Sequence, residues 1–276
     1  MATTQFESAA TALCAGFSPV NILMYHNIEA QPRPPRYNHF YVLRDQFRKQ
    51  MTGLLAAGYR ACTLADVGAA LEGRGRVPEK PFVVTFDDGY ANLLRYVHPV
   101  MMELDIPYCV YLVSGLVGGV SDWVASEGFE TSKLLTWSEI REMQAWKGVT
   151  FQSHTVTHPR LADMELDAAV EELKVSKTEL EQRLGHEVDQ ICYPYGSVSA
   201  PVADAAREMG YRLGLTTSFG RARPGEDPLL LPRVSIHHVP PFSLKFGPRG
   251  ANFWWRIRTR KDTRLSLDPS RAGAAR

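Results

Sequence analysis

The chain has 276 residues, of which 45% are hydrophobic and 22% are charged, and its formal net charge is +1. The hydrophobic and charged fractions are typical of a globular domain with a substantial core. The small net charge produces no overall electrostatic field that would favour binding to nucleic acid or to an acidic partner. No stretch approaches the length of a membrane-spanning helix. A signal peptide begins with a positively charged region, but here the first Lys or Arg is Arg33. We therefore expect a cytoplasmic protein.

The cysteines are widely spaced, and none forms a CxxC pair. Cys109 lies inside an apolar run, which is typical of a buried thiol. We therefore expect free thiols rather than a disulfide framework. The four residues are Cys14, Cys62, Cys109 and Cys192.

Short apolar runs alternate with helical patterns between residues 19 and 241. Strands are predicted at residues 20–25, 82–86, 106–113, 149–152, 190–193, 212–217 and 230–236. Helices are predicted at residues 43–57, 64–71, 93–104, 136–146, 163–184 and 202–209. This alternation is typical of a parallel sheet covered by helices, and about seven strands predict a distorted or incomplete (β/α) barrel. We expect residues 1–18 to form an arm and residues 242–276 a tail.

Polar residues follow the apolar part of several predicted strands. In a barrel of parallel strands these ends share one rim, where catalytic groups gather. Residues far apart in sequence could therefore converge on one site. The residues concerned are His26, Asp87, Asp88, His154, Tyr195 and either His237 or His238.

Asp87 and Asp88 directly follow a fully apolar strand and precede Gly89. Asp-Gly is a common turn dipeptide, so a solvated turn is one interpretation. Adjacent carboxylates repel each other, however, and no Lys or Arg lies beside them to balance their charge. A metal ion that binds one carboxylate and leaves the other free as a base would separate their roles.

His154 and His158 lie four residues apart, but the three residues between them are poor helix formers and Pro159 ends the run. We therefore place both imidazoles in a turn after a strand. Lone histidines are usually surface or core residues. Two at ligand spacing, in a chain that also has the aspartate doublet, indicate a metal site with positions left for water and substrate.

Two other groups of residues follow predicted strands. The turn Tyr193-Pro194-Tyr195-Gly196 is either a simple corner or a loop whose backbone N–H faces a developing oxyanion. His237 or His238 could act as a general acid, and His26 either lines the pocket or only ends its strand.

The tail mixes aromatic and cationic side chains between residues 242 and 261. This mixture suits a weak peripheral contact with a membrane that contains anionic lipids. Alternatively, the aromatic side chains pack on the barrel and the charges face water.

Three motifs in order, TFDDG at residues 85–89, SHxxxH at 153–158 and PYG at 194–196, resemble the polysaccharide deacetylases of carbohydrate esterase family 4, the NodB-homology group. The ILMYH run at residues 22–26 and the YPYG form of the corner resemble the branch that deacetylates poly-N-acetylglucosamine. The resemblance covers roughly residues 20 to 240, and it implies a distorted (β/α) barrel.

The resemblance also implies roles for individual residues. Asp87 would be the catalytic base, and Asp88, His154 and His158 would bind a divalent metal, usually zinc. The backbone N–H of Tyr195 would stabilise the oxyanion. A histidine near the last strand, best matched by His238, would protonate the leaving amine. The other residues expected around the substrate are Tyr25, His26, Pro194, Gly196 and His237.

The chain departs from the family pattern in two places. Family members have an arginine two residues before the Pro-Tyr-Gly corner that orients the catalytic aspartate, and this chain has Cys192 there. Arg233 is a candidate for that role. The terminal Leu-x-His motif is only approximated, and a shift of one residue would select His237, on the other side of the strand, instead of His238.

We therefore expect a metal-dependent N-deacetylase that acts on N-acetylated amino sugars in a polysaccharide or glycolipid. A sugar-binding pseudoenzyme of the same fold is one alternative, although a binding module would not need Asp87 as a base. A hydrolase of a non-sugar C–N bond is another. An open groove with exposed aromatic side chains would favour a glycan, and a small closed cavity would favour a metabolite.

Overall fold

The computed structural model describes residues 17–34 and 40–236, together with Phe253, Arg256 and Ile257. Its strands are, in chain order, β1 (Asn21–Tyr25), β2 (Asn27–Glu29), β3 (Tyr41–Leu43), β4 (Arg60–Ala61), β5 (Pro81–Phe86), β6 (Tyr108–Leu112), β7 (Val149–Ser153), β8 (Gln190–Cys192), β9 (Leu213–Phe219) and β10 (Leu231–Ser235).

Seven of these strands close into a parallel barrel. The strands β5 to β10 pair in sequence order, and β1 completes the ring because it pairs with both β10 and β5. Since every pairing is parallel, all seven strands present their carboxyl ends at the same rim. The predicted (β/α) barrel is confirmed.

The helices are α1 (Arg44–Ala56), α2 (Leu64–Leu71), α3 (Asn92–Tyr96), α4 (His98–Leu104), α5 (Trp137–Gln144), α6 (Leu166–Leu184) and α7 (Ala200–Glu208). The helical stretch at residues 93–104, which we expected Pro99 to interrupt or to start, forms two helices, because Pro99 lies in the first turn of α4 and cannot continue α3. Thr136 and Glu139 form a capping box at the start of α5. The last predicted long helix begins at Leu166, after a short 3₁₀ turn at Leu161–Asp163.

Alternate residues of the strands enter two different apolar layers. Leu23 and Val84 belong to a large cluster between the strands and the outer helices. Their neighbours Ile22 and Val83 belong to a smaller cluster on the opposite, inner face of the barrel, to which Leu64 of α2 contributes. This period of two explains why the strands are apolar throughout, since both faces are buried.

Three short strands have no counterpart in the sequence prediction. β2 pairs with β3, and β4 pairs with the beginning of β5. Segments of two or three residues are too short to show the alternation of apolar and polar residues by which a strand is predicted. The stretch after β6, expected to be irregular, contains two 3₁₀ turns, Ser114–Leu116 and Asp122–Glu127.

The predicted arm and tail lie largely outside the described residues, so their boundaries stay predictions. Within the tail, Phe253 and Ile257 are buried against the outer core, and Nη1 of Arg256 donates a hydrogen bond to the carbonyl of Ser235 at 2.9 Å. Phe253 is therefore not available to a membrane. A membrane contact through the remaining aromatic residues stays a prediction.

Two further expectations concern the described residues. No helix among them is both long enough and apolar enough to span a bilayer. Cys62, Cys109 and Cys192 are buried free thiols, as predicted, and Cys14 lies outside the described part of the chain.

We expect Phe47→Ala to lower the free energy of unfolding by about 3–5 kcal/mol, the usual cost of an aromatic-sized cavity in a core. Phe47 is fully buried and packs against Tyr25 and Phe86, with ring centroids 5.4 and 5.7 Å away. Urea denaturation measures the effect. Leu166→Ala, at an exposed position of α6, is the control and should change stability by less than about 0.5 kcal/mol. Equal losses in both variants would contradict the assignment of the outer core.

Candidate active site

A cavity of about 350 Å³ opens at the rim formed by the carboxyl ends of the strands. Six residues singled out from the sequence line it, although they are up to 169 positions apart. They are His26, Asp87, Asp88, His154, His158 and Tyr195. The predicted convergence of these residues at one rim is therefore confirmed, whereas their chemical roles remain to be tested.

The other expected site residues that the structure describes are not part of the lining. Tyr25 faces the outer core, because side chains alternate along β1, and its hydroxyl donates to Oε1 of Gln50 at 2.8 Å. Its prediction as a substrate-binding residue is wrong. Pro194 and Gly196 shape the corner that presents Tyr195 but do not line the cavity. His237 and His238 lie outside the described residues.

The turn after β5 sends the two adjacent carboxylates in different directions. The N–H of Asp87 donates to the carbonyl of Tyr25 at 2.9 Å, which holds Asp87 in line with the strands. Asp88 then adopts a left-handed backbone with φ 73°, and Gly89 continues it with φ 74°. Left-handed backbone is uncommon outside glycine and is found most often where a site constrains the chain.

Asp88 faces two imidazoles. Its Oδ1 lies 3.3 Å from Nε2 of His154 and 3.3 Å from Nε2 of His158. Charge-assisted hydrogen bonds are shorter, about 2.7–2.9 Å. Ligand atoms bound to one tetrahedral zinc at 2.0–2.2 Å would lie about 3.4 Å apart, so the spacing fits a shared metal ion.

The protein holds both imidazoles in place. The Nδ1 atom of His154 lies 2.6 Å from the carbonyl of Cys192, so it carries the proton and leaves Nε2 free to bind. The ring of His158 stacks on Trp123 and meets the edge of Tyr195, with centroids 4.3 and 4.7 Å away. Burial lowers the pKa of His158, which favours the neutral form of imidazole that a metal binds. Burial also lowers the pKa of His154, but Cys192 and Asp88 outweigh it and hold that pKa well above its usual value, so a metal would have to displace a proton there.

The loop between the two histidines is anchored from α6. The carboxylate of Glu172 accepts hydrogen bonds from the N–H groups of Val156 and Thr157 at 2.8 and 3.0 Å, and from the Thr157 hydroxyl at 2.6 Å. Both ends of the loop are strained, because Thr155 and His158 have φ values of 67° and 64°. The turn predicted for the two histidines is therefore confirmed.

Asp87 is paired with Arg233 rather than with the imidazoles of His154 and His158. Its two carboxylate oxygens lie 2.7 Å from Nη1 and Nη2 of the guanidinium. Burial raises the pKa of Asp87, but the charge and hydrogen bonds of Arg233 outweigh it and hold that pKa below its usual value. Asp87 is therefore ionised at neutral pH. His26 approaches the same carboxylate, with Nε2 3.9 Å from Oδ2.

Burial also raises the pKa of Asp88, whereas the facing imidazoles of His154 and His158 lower it, and the result is well below the usual range. Both members of the doublet are thus carboxylates. Each faces a different partner, a guanidinium for Asp87 and two imidazoles for Asp88, which removes the conflict expected of two like charges side by side.

The corner after β8 places Tyr195 over the cavity. Tyr195 has a left-handed backbone, φ 59°, and Gly196 follows with φ 70°. A Cβ atom at Gly196 would lie 2.2 Å from Oγ1 of Thr217, so only glycine fits there. The Arg160 guanidinium lies 3.9 Å from the centroid of the Tyr195 ring, on the cavity side.

Several lining residues carried no signal in the sequence. Phe40 directly precedes β3, and Trp123 and Glu127 belong to the irregular stretch after β6. Arg160 follows the second histidine by two residues. Only the position of Arg160, close to a recognised motif, could have suggested a place at the site.

The sequence model of the polysaccharide deacetylase family matches residues 74–214, slightly more than half of the chain. The chain is 26% identical over 215 residues to YxkH of Bacillus subtilis (strain 168), named for the same deacetylase family; the match covers 78% of this chain and 70% of YxkH. It is 29% identical over 136 residues to the poly-beta-1,6-N-acetyl-D-glucosamine N-deacetylase of Escherichia coli (strain K12), covering 48% of this chain and only 20% of that protein.

Solved structures agree with these matches. The Streptococcus pyogenes deacetylase PplD, solved in complex with acetate, is 26% identical with a TM-score of 0.71, covering 88% of this chain and 100% of that one. IcaB from Ammonifex degensii is 25% identical with a TM-score of 0.70, covering 88% and 98%. From the matched residues, the barrel and the motifs that meet at its rim, we conclude that this chain belongs to the polysaccharide deacetylase family.

Proposed function

We propose that this protein is a metal-dependent N-deacetylase that hydrolyses the acetamide of N-acetylated amino sugars in a polysaccharide or glycolipid and releases acetate. The main observation that supports the proposal is that the adjacent residues Asp87 and Asp88 face different partners. Asp88 faces His154 and His158 at 3.3 Å, and Asp87 stands beside them with its own partner. A binding module would need neither arrangement.

Asp88, His154 and His158 are the residues that would hold the metal. One carboxylate and two imidazoles suit zinc, and three protein ligands leave a position for water or substrate. A bound zinc ion would polarise the acetamide carbonyl and lower the pKa of water in the site.

The protein's own groups account for the remaining steps. Asp87, ionised and buried at the cavity wall, takes a proton from the attacking water. The water oxygen adds to the acetamide carbon, and the backbone N–H of Tyr195 donates to the oxyanion that develops. When the C–N bond breaks, the amine leaves with a proton and acetate remains.

We propose His26 as the donor of that proton, with His238 as the alternative. His26 lines the cavity on the Asp87 side, and its Nε2 lies 3.9 Å from Oδ2 of Asp87. Its Nδ1 is buried and has no hydrogen-bond partner among the described residues, which leaves this imidazole unconstrained by structural bonds. The position after a predicted strand suggested His237 or His238, and only the resemblance selected His238.

A sugar substrate is supported by the aromatic side chains around the cavity. Phe40 is 38% exposed, and Trp123 and Tyr195 also line the cavity. Such rings offer flat apolar faces to a pyranose, while the charged groups Glu127 and Arg160 in the same lining offer polar contacts. The activity named for the Escherichia coli relative supports N-acetylglucosamine polymers as the first substrates to test.

We expect Asp87→Asn to reduce acetate release from N-acetylglucosamine oligomers by roughly a hundredfold or more, because the amide cannot accept the proton. The bound zinc should remain, since Asp87 is not one of its ligands. Enzymatic acetate measurement, with and without chelator and added zinc, gives the rate. Asp204→Asn, at an exposed ion pair on α7, is the control and should match wild type. A fully active Asp87→Asn variant would remove the proposed mechanism.

We expect Asp88→Ala and His154→Ala to lose the zinc that wild type holds at about one ion per chain. Each change removes one of three ligands. Elemental analysis after dialysis measures the metal directly. His186→Ala, which removes an exposed histidine, should keep the full content. Unchanged zinc in both site variants would show that the ion binds elsewhere.

We expect His26→Gln to lower the rate of acetate release by roughly a hundredfold, because glutamine cannot donate a proton to the leaving amine. His238→Gln and His237→Gln, measured in parallel at saturating oligomer, should stay within about tenfold of wild type. The reverse order, with His238→Gln the more damaged, would return the role of general acid to His238.

A further inference from the structure

The loop between His154 and His158 has a conformation that its own residues do not favour. Thr155 and His158, at its two ends, have φ values of 67° and 64°, in the left-handed region. Residues other than glycine stay in this region only where surrounding contacts impose it. Both imidazoles reach Asp88 from this segment, so the contacts that impose its shape bear directly on the candidate metal site.

One side of the loop rests on the 3₁₀ turn that follows β6. The N–H groups of Ser114 and Gly115 donate to the carbonyls of Thr155 and Val156 at 3.0 and 3.1 Å. A Cβ atom at Gly115 would lie 2.8 Å from the carbonyl oxygen of Val156, so this close approach requires glycine. These contacts satisfy two carbonyl groups of the loop and leave its N–H groups to other acceptors.

Glu172 of α6 provides acceptors on the other side. Its Oε2 accepts hydrogen bonds from the N–H groups of Val156 and Thr157 at 2.8 and 3.0 Å, and its Oε1 accepts one from the Thr157 hydroxyl at 2.6 Å. Glu172 lies 16 positions after Val156 and belongs to none of the three recognised motifs. A single charged acceptor thus holds three donors of two adjacent residues. Without it these donors would turn to water, which cannot fix the loop.

The same face of α6 also contacts the chain just before His154. Ser176 follows Glu172 by one helical turn, and its Oγ lies 2.8 Å from Oγ of Ser153. Leu173, between the two helical residues, is buried in the outer core, which fixes α6 on the barrel. A helix packed on the barrel therefore holds the histidine segment at two points.

We propose that Glu172 is a positioning residue for the metal site: its hydrogen bonds hold the loop in the conformation that directs His158 toward Asp88, and they thereby raise the affinity for zinc. The inference rests on the proposed function, in which Asp88, His154 and His158 are the ligands. Glu172 does not line the cavity and acts through the loop. Removal of outer contacts that orient metal ligands typically lowers metal affinity by about 10–100-fold.

Glu172→Ala removes all three contacts. Glu172→Gln can keep them, because its carbonyl oxygen accepts from both N–H groups and its amide donates to the Thr157 hydroxyl. We expect Glu172→Ala to weaken zinc binding by at least about tenfold and Glu172→Gln to stay within about threefold of wild type. Competition with a chelator of known affinity measures the zinc dissociation constant. Equal losses in the two variants would overturn the proposal, because they would assign the effect to the charge instead of the hydrogen bonds.

Glu171→Ala, at the exposed neighbouring position of α6, is the matched control and should bind zinc as wild type does. The metal-free proteins separate positioning from a merely structural role. A structural role would lower the melting temperature of metal-free Glu172→Ala and leave the zinc affinity of its folded fraction unchanged, and this result would overturn the proposal. Positioning predicts a reduced affinity, with acetate release that returns to within about threefold of wild type once zinc is saturating.

The outcomes distinguish this proposal from the function on which it rests. Equal zinc affinity in wild type and Glu172→Ala would contradict the role of Glu172 alone, whereas a wild type that binds no zinc at Asp88, His154 and His158 would contradict both. If Glu172→Ala does not fold, Thr157→Val removes the hydroxyl contact and keeps both N–H groups. It should weaken zinc binding by about three- to fivefold, and unchanged affinity would overturn the proposal.

Discussion

Two carboxylates adjacent in sequence must each have a partner of their own, and the site of this protein is arranged around that constraint. The left-handed turn at Asp88 separates the two side chains, so that one meets a guanidinium and the other meets two imidazoles. Without such partners, burial would favour protonation of at least one carboxyl group. The barrel supplies them from strands that are distant in sequence but adjacent at one rim.

The sequence alone predicted those parts of the structure that depend on patterns of neighbouring residues. Fully apolar runs between helical patterns predicted the barrel, and polar residues at the ends of those runs predicted where the site would lie. His154 and His158 could be placed in a turn because the residues between them are poor helix formers. The capping box of Thr136 and Glu139 likewise marked the start of α5 correctly.

What the sequence could not provide depends on contacts between distant residues. The bidentate geometry of Arg233 at Asp87 needs the closed barrel, since Arg233 lies on β10 and Asp87 follows β5. Tyr25 was misplaced because strand alternation turns it to the outer core, while the next residue, His26, faces the cavity. Phe40 and Trp123 lie in irregular segments, where no period indicates which side chains face a site.

The rim at which these side chains meet also concentrates backbone strain. Asp88, Thr155, His158 and Tyr195 all have positive φ, and the surrounding hydrogen bonds, such as those of Glu172, hold the chain in these conformations. We propose that Asp88, His154 and His158 hold one ion, with Asp87 beside it and unligated. Anomalous diffraction at the zinc edge, from crystals grown with zinc, tests this most directly. We predict one peak about 2.0–2.2 Å from those three side chains; a peak bound to Asp87 or Cys192, or none at the rim, would contradict it.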